Sequence, residues 1–133
     1  MNFTRTYSLN STPPLGGPNT TATDVVGPVT MTAQNEGVLD IPSGSATGAA
    51  FSIPFGSVGS PQHVFVQNAG MSGTIKVGIN GGTGASQVME LPPGGSVEYT
   101  APVAVAEPPT VIAVFVGATE PGLGQVKYVI YGN

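Results

Sequence analysis

The sequence predicts an all-β fold: a single antiparallel β-sandwich with a jelly-roll-like order and an extended N-terminal arm or loop. Three observations carry this expectation. The 13 Pro and 20 Gly among 133 residues interrupt every candidate helix before a 3.6-residue apolar period can develop. Short alternating or β-branched runs recur instead, with turn residues roughly every 8 to 12 positions, the spacing of sandwiches and barrels. One run, "TVIAVFVG" (110–117), is continuously apolar, as a strand buried on both faces requires.

In chain order, "FTRTYSL" (3–9) places Phe3, Tyr7 and Leu9 on one face against Thr4, Thr6 and Ser8. "NSTPPLGGPNTTA" (10–22) has no strand pattern and reads either as an arm that orders against a neighbouring subunit or as a floppy segment. "TDVVGPVTMTAQ" (23–34) is β-branched but broken by Gly27-Pro28, the mark of a bulge or an edge. "EGVLDI" (36–41) and "GAAFSIPF" (48–55) come next. "QHVFVQN" (62–68) and "GTIKVGIN" (73–80) flank an "AGMS" turn, with Ile75, Val77 and Ile79 facing away from Thr74, Lys76 and Gly78. "ASQVMEL" (85–91) and "GSVEYTA" (95–101) are joined through "PPGG", and "VAEPPT" (105–110) is a stiff connection. "GQVKYVIYG" (124–132) sets Val126, Tyr128 and Ile130 against Lys127, Val129 and Tyr131. The expected division is an N-terminal strand and arm over residues 1–24 and a sandwich over 25–133.

Composition narrows the function classes. Only 8% of residues are charged, against about 25% in typical domains, so the surface is polar but uncharged and poorly protected against association. Arg5, Lys76 and Lys127 are the only Lys or Arg, and the formal charge is −4. Neutralising several phosphates takes several cations, so neither nucleic acid nor an anionic membrane is an expected partner. Cysteine is absent, which leaves no disulfide or thiolate metal site. "MNFTRTYSLNSTPPLGG" has no apolar core of a secretory signal, and no long apolar run suggests a membrane helix. Cytosolic synthesis is therefore expected, and the Asn-x-Thr/Ser triplets at Asn2, Asn10 and Asn19 are read as chance.

No motif predicts catalysis, a cofactor or a metal. The run Gly78 to Gly84 lacks the lysine of a phosphate loop, and the residues from Ala85 onward read as strand instead of helix. Asn80-Gly81 supplies the positive-φ pair of a hairpin, and Gly82 and Gly84 permit a longer loop. His63 is the sole histidine; a Ser-His-Asp arrangement would need Asp24 or Asp40 beside it, and the expectation is an exposed strand-end histidine. The acids are Asp24, Glu36, Asp40, Glu90, Glu98, Glu107 and Glu120, with no calcium-loop spacing. Glu90 and Glu98, facing across a "PPGG" hairpin, are the one pair that a glycosidase reading can name. Five Phe, four Tyr and no Trp make a thin sugar-stacking platform, and Tyr128 and Tyr131 fall on opposite faces of their strand.

The run "SIPFGSV…HVFVQNAG…GTIKVGINGG…ELPPGGSVEYTAP", about residues 51 to 101, resembles small β-sandwich virion proteins of tailed bacteriophages. The resemblance implies no catalytic residues. It implies a non-enzymatic capsid decoration (cement) protein on the head surface, with the major capsid protein and further copies of itself, as dimers or trimers, for partners. The alternative it leaves open is a head-fibre, tail or host-attachment component with a carbohydrate-binding sandwich.

Overall fold

A computed structural model of the chain describes residues 2–11, 20–79, 88–100 and 109–133. The hairpin tip expected at 80–85, the middle of the arm and most of "VAEPPT" lie outside these residues. The described chain is all strand and turn: β1 (Asn2–Ser11), β2 (Thr20–Thr30), β3 (Ala33–Ile41), β4 (Ala50–Ser52), β5 (Pro61–Asn68), β6 (Ile75–Ile79), β7 (Val88–Leu91), β8 (Ser96–Thr100), β9 (Ile112–Val116) and β10 (Gly124–Gly132).

Eight strands form two four-stranded antiparallel sheets, ordered β3-β10-β5-β8 and β4-β9-β6-β7, consistent with the expected β-sandwich. Pairing is nested: β3 with β10, β4 with β9, β5 with β8, and β6 with β7. Alternation decides which side chains go inward. Along β10, Val126, Tyr128 and Ile130 are buried while Gln125 and Lys127 are exposed, and β3 alternates in step with it. β9 lies between β4 and β6, and its apolar run has four of five residues buried. Between the sheets, Val66, Val126 and Ile130 from one and Ile75, Ile112 and Val114 from the other are all fully buried. Gly37 is dictated by this packing, since a β-carbon there would lie 2.8 Å from the Tyr128 hydroxyl.

The N-terminal segment differs from expectation. β1 and β2 form a separate two-stranded sheet in which the flanks of the supposed arm, Asn10, Ser11 and Thr20 to Ala22, are paired strand. Gly27 and Pro28 together oppose Thr4, a bulge at the position their residue types predicted. Proline cannot donate to the ladder, so it fits there. The run 23–34 is not one strand. It breaks at Met31, whose side chain is fully buried, and at Thr32, whose N–H donates to the Gly132 carbonyl at 2.9 Å. The expected boundary between residues 24 and 25 falls inside β2, which continues through both.

Strand directions sort the connections into two ends. At one end lie the start of β3, the 53–60 connection and Asn133, whose carbonyl accepts from the N–H groups of Gly59 (2.9 Å) and Ser60 (2.6 Å). At the other lie the four loops 42–49, 69–74, 92–95 and 117–123.

Candidate functional site

"PPGG" is a tight turn, with Gly95 N–H donating to the Pro92 carbonyl at 2.8 Å and Gly94 at φ +80°. That geometry is a type II turn with Pro93 and Gly94 at its centre. It is not a hairpin. β7 pairs with β6 in one sheet and β8 with β5 in the other, so the turn carries the chain between sheets. Glu90 stands opposite the exposed Lys76, outward, because Ile75 and Val77 point into the core. Glu98 stands opposite Phe65, outward on the other sheet, because Val64 and Val66 point inward. The two carboxylates therefore face away from each other across the thickness of the sandwich, and the glycosidase pair does not exist.

His63 is not exposed, as the sequence suggested, but 6% exposed. It projects from the outward face of β5, where Thr100 is its direct cross-strand neighbour and Tyr131 lies on the other side. Nδ1 is 2.9 Å from Thr100 Oγ1 and 3.6 Å from Glu98 Oε1, and the Tyr131 ring sits 5.8 Å away, tilted by 35°. His63, Glu98 and Tyr131 each engage in further interactions as well. Burial thus comes from neighbours two strands wide, which alternation in β5 alone does not reveal. In a catalytic triad the carboxylate and the nucleophile address opposite ring nitrogens. Here hydroxyl and carboxylate both approach Nδ1, the geometry of a packed polar cluster. Asp40 is remote, at the Gln125 end of β10, where Gln125 Nε2 donates to its Oδ1 at 3.3 Å. Asp24 lies in β2, opposite Tyr7 in the ladder.

Beside His63, Gln62 is the extra residue of a bulge: Tyr131 pairs with His63 and Gly132 with Pro61. Its side chain is buried, and its Oε1 has no hydrogen-bond partner among the described residues. Among these residues no group of three or more His, Asp or Glu side chains is placed to hold a metal ion.

The second assembly of polar groups is the four-loop end, which sequence patterning did not single out. Asn68 is fully buried there. Its Nδ2 donates to the carbonyls of Gly73 (3.0 Å) and Leu91 (3.1 Å), and its Oδ1 accepts from Met71 N–H at 3.2 Å. Its backbone bonds both glycines of the "PPGG" turn, so one residue locks two loops. Glu120, 3% exposed, accepts through Oε2 from Ser72 N–H (3.2 Å) and Ser72 Oγ (3.3 Å). Its backbone exchanges bonds with Gly44 and Ser45, so it ties the other two loops together. A polar residue closing an apolar strand just before a glycine turn, as Asn68 does in "VFVQNAG", was the available signal.

Comparison with protein families, with curated proteins and with solved structures found no match.

Proposed function

We propose that this chain is a non-enzymatic virion structural protein: a decoration protein that binds the outer surface of a phage head, through the major capsid protein, and stabilises it. The observation that carries the reading is the N-terminal hairpin. Among the described residues, the ten-residue β1 and eleven-residue β2 pair only with each other, attached to the sandwich through Met31 and Thr32. A two-stranded ribbon is marginal in water by itself and gains stability from a surface to lie on. A sandwich that builds its own core and adds a ribbon for a neighbour suits a part that ties subunits together. The nested pairing from β3–β10 to β6–β7 supports a jelly-roll order, eight strands in two sheets.

The head-fibre, tail or host-attachment reading asks for exposed aromatics gathered on one face. On the two four-stranded sheets the outward aromatics are Phe65 and Tyr131 on one and Phe115 on the other, and all three are half-buried. The decoration reading is therefore preferred.

Quantitative mass spectrometry of particles, followed by rebinding of the purified full chain to stripped heads, tests it. Hundreds of copies per head and a raised temperature of genome release are expected. A dozen copies or fewer, or no effect on release, would overturn decoration in favour of a tail or fibre role.

A further inference from the structure

We infer that the four-loop end of the sandwich is a self-association surface on which a second copy of this chain seats end to end. Loops 42–49, 69–74, 92–95 and 117–123 contain a single ionisable side chain, Glu120, and that one is buried and turned onto Ser72. On the two four-stranded sheets the charged side chains lie outward, with Lys76 opposite Glu90 on one of them. The β3-β10-β5-β8 sheet carries Glu36, Asp40 and Glu98 against Lys127 alone, so two copies meeting there would oppose acid to acid in a chain of net charge −4. Like charges set face to face are a strong device against association. The four-loop end lacks that barrier.

It also has an anchor and a frame. Leu123, between Gly122 and Gly124, is 61% exposed, against 40% to 52% for the other exposed large hydrophobics described. The same four loops carry small or ring-closed residues, among them Ala46, Ala69, Pro93 and Ala118, all exposed, which let a partner backbone approach closely. The loops are cross-bonded to one another through Asn68, Glu120 and the Ser43 hydroxyl, which donates to the Pro121 carbonyl at 3.1 Å. Little ordering entropy is then lost on contact. Together the loops supply a residue count within the roughly 20–30 a side of a stable interface. In a two-fold contact the Leu123 of each copy meets the small residues of the other. This names the contact of the proposed homo-oligomer, yet it stands or falls without a capsid.

Sedimentation of the full chain over a concentration series tests it, with Leu123→Glu, Ala118→Glu and the matched control Val111→Glu, which places the same charge at the opposite end. The wild type and Val111→Glu should dimerise alike. Either loop variant should weaken dimerisation at least about tenfold, a loss of about 1.4 kcal/mol, with an unchanged β-sheet spectrum. Should both loop variants misfold, the double variant Leu123→Cys/Ala118→Cys in this cysteine-free chain decides, since the contact sets position 123 of one copy on position 118 of the other, by forming a disulfide-linked dimer on oxidation or failing to. A monomeric wild type, loop variants that dimerise normally, a control that fails equally, or no crosslink would each overturn the inference. Dimers that do not bind heads would remove the decoration reading and leave this one standing.

Discussion

Glu90 and Glu98 lie on the outward faces of opposite sheets, although only the Pro92-to-Gly95 turn separates their strands. Glu90 thus stands beside Lys76, and Glu98 beside Phe65 and His63, and neither beside the other. A double-mutant cycle of Glu90→Gln and Glu98→Gln, read by denaturant unfolding, should give additive effects within about 0.5 kcal/mol. A larger coupling would mean that the two groups sense each other.

Asn68 holds three buried backbone partners with one side chain. Asn68→Ala should cost on the order of 3 kcal/mol, since it strands the Leu91 and Gly73 carbonyls and the Met71 N–H. Asn68→Asp keeps the size but removes both donors, so chemical denaturation should find it at least as damaging. An Asp variant as stable as wild type would show that shape alone matters there.

The hairpin and its root should separate cleanly. Because β2 extends to Thr30, a chain lacking residues 1–30 should retain a cooperatively unfolding sandwich, while a cut at residue 22 leaves most of β2 without its partner. The 1–30 deletion should abolish stabilisation of heads in a genome-release assay. Met31→Ala in the full chain should instead cost about 2–5 kcal/mol of fold stability, since its side chain is fully buried.

Gly132 closes the bulge beside Gln62, and a β-carbon there would collide with the Ser60 carbonyl. Backbone cannot yield as a flexible side chain can. Gly132→Ala should therefore lower stability by about 1–3 kcal/mol. Gly94→Ala, where nothing lies within 4 Å and only the positive φ opposes the change, should cost about 1 kcal/mol. Thermal melts of the two variants side by side check the order.

By itself the sequence determined that the chain is strand and turn, which residues face inward along β6 and β10, that β9 is buried, the bulge at Gly27-Pro28 and the tight turn at Pro93-Gly94. Those are local properties, set by the two-residue period of a strand, by proline's missing N–H and by glycine's access to positive φ. Only the tertiary structure decided which sheet each strand joined. Alternation in "VMEL" and "SVEYT" assigns a buried face to each strand but names no partner, and a type II turn serves a corner between sheets as readily as other turns serve a hairpin. The same limit hid His63 and Asn68. Burial of a polar side chain depends on what neighbouring strands and loops bring against it: Thr100 and Tyr131 in one case, Gly73 and Leu91 in the other. Most of those neighbours are distant in sequence and become adjacent only once the two sheets close on their shared core.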